Sequence, residues 1–499
     1  MFNCVWIRTT ATIPLTLLLT GLALFGGLSV LLLNGTSLFY FDTLGYLDTG
    51  DKLLGAILPL GPAGSEVTSP GAGAASAPAA PSGTMTIGSR SVLYAVLLTA
   101  AQRLGWLDAM VLVNLAAIWS MLWLLARTAA RAWGLAASPA LISATLILAG
   151  CLGSLPFYTA FLMPDILAPV LILALAALTA FGSQMRAAEA AFAIGLILLA
   201  VLSHLSHLVI AALLAPLALL MAPSARSYRY KILLLMATLV VGLGIAERLV
   251  FNRAAEVFQG KEVVYLPFLT ARLIDDGPGF SYLAEVCPQA GLATCALYRT
   301  LIRDDREPLR RDAPMIIFSH DPGLGSYQLL TIPERRQISR EQLGFAVNVT
   351  VRHPLPVLMS VARNAIRQLS LPGIGMTIPG SQLIANAVAP DGKLGPHYAT
   401  GRLFGTDRAW IAPLASVHGV FYAVSALGIA VLLAWPGAVP QGGKRLAAMV
   451  LAGIVVNALV CGSISEPAER YGARVLFLLP ILAVLLVWPL LGRHKEPIA

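Results

Sequence analysis

The residues of this chain best suited to chemistry are acids and arginines set at the mouths of long apolar runs. Asn34–Lys52 reads NGTSLFYFDTLGYLDTGDK and places Asp42, Asp48 and Asp51 just after the first such run. Asp165 opens another run behind Pro164, and Ser465–Arg474 (SEPAERYGAR) brings Glu466, Glu469, Arg470 and Arg474 to the start of the last one. Charge at a membrane exit is costly and usually has a task. A carboxylate held close to an acceptor in a partly dry site removes its proton, and guanidinium forks hold a phosphate while staying charged in low dielectric. Asp42 is placed for the first task, and Arg90, Arg470 and Arg474 for the second. His204 and His207, in LSHLSHL, fall inside or at the tip of an apolar run, which suits substrate binding or a proton relay as well as plain interhelical hydrogen bonding. Structural alternatives accompany the acids. Asp48 and Asp51 read as solvated acids or caps, Asp165 as a favourable charge at a helix start, and Glu466, Glu469 and Arg470 as a locally paired cluster.

The elements that must position these groups are membrane helices. Of 499 residues, 57% are hydrophobic and 12% charged, with mean hydropathy +0.78, against roughly 25% charged in a soluble domain. The net charge of +9 comes without a dense basic run, so nucleic acid is not the expected partner. Cys4, Cys151, Cys287, Cys295 and Cys461 lack the spacing of a zinc site. A window of about 20 residues finds apolar segments near 11–33, 108–128, 138–154, 164–183, 189–204, 206–222, 232–250, 411–434, 446–463 and 473–491. This predicts an all-α polytopic membrane protein of about ten spans. The 189–222 region reads either as two spans or as one span plus a re-entrant piece. Ten spans put Arg8, Arg127, Arg131, Arg186, Arg226, Arg229, Lys231, Lys444, Arg445, Arg493 and Lys495 on one side, the cytoplasm by the positive-inside rule, together with both termini. The first run, with no clear small-residue cleavage site, reads as a retained helix.

The opposite face then carries two long loops, 34–107 within an N-terminal module (1–250) and 251–410 before the C-terminal helices (411–499). In the first, Gly61–Thr84 is a Gly, Ala, Pro and Ser run that reads as a flexible tether. Ser89–Gly105 follows it as an interfacial amphipathic helix with Arg90 and Arg103 at its ends. The second loop is too long for a connector and predicts a small extracytoplasmic cap, with helices near Phe280–Cys287, Leu292–Arg303 and Pro354–Leu369. Cys287 and Cys295 lie eight residues apart in a compartment where disulfides persist, so a bridge is expected. Glu247 and Arg248 read as interface anchors ending the seventh span.

Four segments resemble the GT-C superfamily of polyprenyl-phosphate-sugar-dependent membrane glycosyltransferases, which includes aminoarabinose transferases and protein mannosyltransferases. Asp42-Thr43-Leu44-Gly45-Tyr46 is similar to its D-E-x-x-Y motif, keeping the acid and the tyrosine but with Thr43 in place of the second acid. GSRSVLYAVLLTAAQRLG resembles the interfacial helix that follows, PFYTAFLMPDILAPVLIL the loop whose aspartate (Asp165) opens a span, and SEPAERYGARVLFLLPILAVLL the late R-Y-x-x-x-L-P segment. The resemblance implies transfer of a sugar from a lipid phosphate to an acceptor outside the cytoplasm. Asp42 would be the general base and Asp165 a second catalytic carboxylate that orients an arginine or a sugar hydroxyl. Tyr46, Arg90, His204, His207, Glu469, Arg470, Tyr471 and Arg474 would bind substrate. Asp42 and Asp165 together are also candidate ligands for magnesium or manganese, which favour oxygen-rich sites. The competing classes are a transporter or flippase of a lipid-linked or small solute, and a glycan polymerase or ligase. The Ala, Leu and Arg-rich style points to a bacterial plasma or inner membrane.

Overall fold

A helix that is apolar on every face must be buried on every face. Leu167–Phe181 (LAPVLILALAALTAF) is such a segment, and nearly all of its side chains are buried at the centre of the bundle. The computed structural model of the protein describes residues 2–57, 85–88, 90–221, 228–259, 262–303, 311–405 and 407–492. Its principal helices are α1 (Phe2–Asn34), α2 (Phe41–Ile57), α3 (Val92–Arg103), α4 (Met110–Trp133), α5 (Pro139–Cys151), the central α6 (Leu167–Phe181), α7 (Ala187–Ser203), α8 (Leu205–Met221) and α9 (Tyr228–Gln259). They continue as α10 (Phe268–Asp275), α11 (Ile332–Arg352), α12 (Pro354–Leu369), α13 (Ile411–Ala434), α14 (Gln441–Ile464), α15 (Glu469–Leu476) and α16 (Leu478–Gly492).

Among the described residues, seven stretches are long and apolar enough to cross a membrane: Ile13–Asn34, Leu107–Trp133, Pro164–Gln184, Leu235–Arg253, Ile411–Ala434, Gln441–Ile464 and Glu469–Leu491. The protein is a helical integral membrane protein. The other three expected spans form helices of 13, 17 and 17 residues, α5, α7 and α8, shorter than the roughly 20 residues of a perpendicular crossing. Local chemistry sets their limits. Ser138 caps α5 ahead of Pro139 at its first turn, and extended backbone at His204 (φ −160°, ψ 136°) separates α7 from α8. The body closes tightly where small residues let backbones meet. A Cβ on Gly453 of α14 would lie 2.5 Å from Ile172 of α6.

The two loops depart from a purely helical plan. Residues Met85–Ile87 (β1) and Glu262–Val264 (β2) form a parallel pair in the register Met85↔Glu262, Thr86↔Val263, Ile87↔Val264, so the first loop is strapped to the second. The expected tether, 61–84, lies outside the described residues. The interfacial helix forms as α3, capped by Ser91, and buries Tyr94, Ala95, Leu98 and Thr99 against its surroundings. Arg103 at its end pairs with Asp51 of α2 at 3.3 Å. Asp48 pairs with Lys52 one turn on, and Lys393 reaches Asp51 at 3.1 Å, so these two acids serve local structure. Residues 266–349 carry a separate buried cluster that includes Ile274, Leu283, Leu297, Ile316, Ile338 and Phe345, and Cys287 and Cys295 are joined by a disulfide. The helices expected near Phe280–Cys287 and Leu292–Arg303 run Pro278–Val286 and Thr294–Leu301, and Pro354–Leu369 is helical as anticipated.

Glu247 and Arg248 do not end a span at an interface. The 32-residue helix α9 continues past them to Gln259, and Arg248, 8% exposed, donates from Nη1 to the Arg90 carbonyl at 3.1 Å. An arginine in this place holds the strand exit that carries Arg90.

Candidate functional site

Asp42 stands in the first turn of α2, where a carboxylate is favoured by the helix dipole, and Asp165 stands in the single 3-10 turn Pro164–Ile166 that opens α6. The turn delivers Asp165 to the centre of the bundle with no exposed surface. A buried carboxylate persists only when paired and hydrogen-bonded, and α15 supplies the partners. Arg470 grips Asp165 as a fork, Nε to Oδ1 at 3.2 Å and Nη2 to Oδ2 at 2.8 Å. Arg474, one helical turn later, donates from Nη1 to Asp165 Oδ1 at 3.2 Å. The remaining donor of Arg470, Nη1, reaches Asp42 Oδ2 at 3.0 Å, and Arg90 approaches the other Asp42 oxygen at 3.6 Å. The chain Arg90–Asp42–Arg470–Asp165–Arg474 therefore runs from surface to core, joining residues of α2, α15 and the turn before α6. The rest of the Arg474 fork is satisfied by Asn457 Oδ1 (3.1 and 2.8 Å) and by Ser206 Oγ at 3.3 Å. Tyr40 and Tyr471 place their rings 4.9 and 5.5 Å from the Arg470 guanidinium, a stacking that suits arginine.

A cavity of about 350 Å³ opens beside this chain, within the size of a ligand pocket. Asp42, Tyr46, Arg90, His204, Cys461 and Tyr471 face it, and Tyr265–Leu269, delivered by β2, furnishes much of its apolar wall. His204 Nδ1 accepts from the Ser206 backbone N–H at 3.1 Å and lies 2.8 Å from its hydroxyl. In the neutral ring the proton then sits on Nε2. Tyr46 packs edge-on to Tyr94 at 5.1 Å, and burial, reinforced by Asp42, pushes its phenol up, so it remains a neutral donor.

Comparison with protein-family models, with curated proteins and with solved structures finds no match for this chain. What the site can do follows from its own charges and walls. Three guanidiniums face two carboxylates, which leaves one positive charge over and makes the cavity receptive to an anion. The same donor set does not fit a divalent cation held between Asp42 and Asp165. Both oxygens of Asp165 are taken by guanidiniums and Arg470 lies between the two acids, while among the described residues no group of three His, Cys, Asp or Glu side chains converges.

Several residues expected at the site are elsewhere. Arg470 and Arg474, 2% and 0% exposed, stand behind the cavity wall, where they hold Asp42 and Asp165. Glu469 turns the other way and accepts from the Gly375 backbone N–H at 3.1 Å. The local pairing open to Arg470 gives way to its links with Asp165 and Asp42, because a fully buried carboxylate needs it more. His207 is wholly buried, its Nδ1 3.0 Å from the Ala200 carbonyl and its Nε2 without a partner.

Glu466 does not touch the ion chain, and its neighbours give it a pH signature. Burial, with Asp312 and Asp275 nearby, pushes its carboxyl up. A glutamate raised in the folded state favours folding while it is protonated, and that advantage is lost as pH climbs above the ordinary glutamate range. Glu466→Gln is expected to raise the melting temperature at neutral pH and to leave it unchanged near about pH 4, as thermal unfolding at the two pH values would reveal.

Gly45, Ser206 and Asn457 also touch the ion chain, although the sequence analysis does not single them out. Asn457 carried a signal, being a polar side chain in mid-span. Gly45 carried none: a Cβ there would lie 2.1 Å from Arg90 Cζ, so the guanidinium rests directly on the α2 backbone. Gly45→Ala is expected to push the flexible end of Arg90 aside, leave the fold intact, and weaken binding of a phosphate-bearing ligand by about tenfold, the worth of one charge-assisted hydrogen bond. Calorimetric titration beside the parent protein measures it.

Proposed function

We propose that the protein is a membrane glycosyltransferase that moves a sugar from a polyprenyl-phosphate donor to an acceptor. The observation that supports this most is the single positive charge in excess along the ion chain, whose outer end, Arg90, stands on the rim of a partly apolar cavity. In this reading the donor's phosphate lies against Arg90 and the Nε2–H of His204, with the neutral Tyr46 hydroxyl as a further donor. The acceptor hydroxyl gives its proton to Asp42 as its oxygen bonds to the anomeric carbon. The carbon–oxygen bond to phosphate breaks, and the electron pair leaves with the polyprenyl phosphate. Arg470 holds Asp42 in its orientation, while Asp165 and Arg474 hold Arg470. No divalent cation enters this scheme, since Arg90 supplies the charge that a metal would bring. In this reading the site lies on the extracytoplasmic side of a bacterial plasma membrane, with both termini in the cytoplasm and residues 251–410 forming a cap over the cavity.

The test is equilibrium binding of a short-chain polyprenyl phosphate to the protein in lipid nanodiscs. Arg90→Ala is expected to weaken it by about tenfold or more. Equal affinity in the two proteins would remove the basis of the proposal. The break at His204 also suits a transporter, whose substrate sites form at interrupted helices. Movement of a lipid-linked or small solute across vesicles, with no transfer product, would favour that reading.

A further inference from the structure

A helix docked on a protein from the water side turns its apolar stripe inward. The helix α12 is built the other way. Its buried positions include Ser360, Asn364 and Gln368. Asn364 Nδ2 donates to both oxygens of Asp276 at 3.0 and 2.8 Å, and Gln368 exchanges two hydrogen bonds with the Ala468 backbone at 2.8 and 2.9 Å. Its outer face carries Leu355, Leu358, Met359 and Ile366, each between 63% and 68% exposed. These positions form one stripe at helical spacing. The last turns of α11 add Leu343, Val347 and Val351, four residues apart and also exposed. An exposed apolar stripe of this length over a polar inner face is unfavourable in water and favourable in hydrocarbon.

We propose that α12 and the C-terminal half of α11 are seated in the bilayer, with the apolar stripe among acyl chains and the arginines at headgroup level. Charge supports the choice of partner. Gln342–Leu371 contains no aspartate or glutamate, and its fixed charges are Arg352, Arg363 and Arg367, the composition of an interfacial helix drawn to anionic lipid. Arg352 and Arg363 remain 68% and 66% exposed although they approach Glu285 and Asp276. Position supports it as well. The helix α12 packs on the spanning helix α14, so closely that a Cβ on Gly462 would lie 2.9 Å from the Asn364 carbonyl oxygen. The face is thus continuous with one already in lipid. Between α10, α11, α12 and the end of α14 lies an apolar groove of about 360 Å³, which shares Leu269 and Ile464 with the wall of the polar cavity. With α12 in the bilayer the cavity is reached sideways from the membrane. The seating itself does not rest on the transferase reading.

The experiment places an environment-sensitive fluorophore on Leu358→Cys, Ile366→Cys or, as an aqueous control, Asp321→Cys. Each is made in a full-length parent with Cys4, Cys151 and Cys461 changed to alanine and the disulfide kept, in vesicles containing phosphatidylglycerol. Lipids brominated on the acyl chain are expected to quench the labels at 358 and 366 several-fold more than the label at 321, and aqueous iodide to do the reverse. Iodide quenching at all three positions overturns the proposal. Shielding of 358 and 366 from both quenchers also overturns it, because protein would then cover the stripe. Leu355→Cys supplies a further position if one variant fails to fold.

Discussion

Asp165→Asn is expected to cost about 3–5 kcal/mol of stability, the loss typical when one partner of a buried ion pair is removed. Asparagine has the same shape but no charge, so Arg470 and Arg474 would be left buried with a single counter-ion, Asp42, which only Arg470 touches. Against a total stability of roughly 5–15 kcal/mol, that loss should show as poor yield of monodisperse protein and a large fall in melting temperature. The partner variant separates charge from packing. Arg474→Met in the Asp165→Asn background should recover part of the loss, because it removes the guanidinium that no longer has a counter-ion, whereas independent sites would add. An Asp165→Asn protein that melts like the parent would mean that the ion chain does not anchor the bundle.

Asp42→Asn should behave in the opposite way, with stability nearly kept and activity lost. The Asp42 side chain is 41% exposed, so water screens its charge and its loss costs much less than that of the fully buried Asp165. Arg470 retains its fork on Asp165. A general base contributes about 100-fold to 10,000-fold to rate, so transfer from a polyprenyl-phosphate sugar should fall by that factor while the melting temperature holds. Product analysis in cells that depend on this chain, beside the purified protein's thermal profile, reads both. Full product from the variant with an unchanged fold would sink the assignment of Asp42 as base.

Much of this site was legible because charge in an apolar chain is conspicuous. Asp42, Asp165, Arg470 and Arg474 stand out as charges at helix mouths, and the structure brings all four into one chain although Asp42 and Arg470 are 428 residues apart. Their depth was not legible. Glu469 and Arg470 are neighbours, and a helix points successive side chains in different directions, so which one turns inward depends on the phase of α15 against α6. That Arg470 and Arg474 lie behind the cavity wall was not legible for the same reason: burial is a tertiary fact. The wall at Tyr265–Leu269 was invisible because the strands that deliver it have three residues each, too short for an alternating pattern to register. In α12 the apolar periodicity was legible, but periodicity alone does not say which side faces the core.

The β1–β2 strap makes the width of the cavity a property of chain connectivity. Arg90 follows one strand and Tyr265–Leu269 the other, so two parts of the pocket wall are joined by a clasp of three paired residues, extended by the Gly88 N–H to Val264 carbonyl bond at 3.0 Å. So short a ladder is among the least costly parts of the molecule to unfasten. Arg90 keeps its backbone bond to Arg248 and Tyr265 its bond to Ser339, so the strap shares with these two side chains the task of setting the aperture.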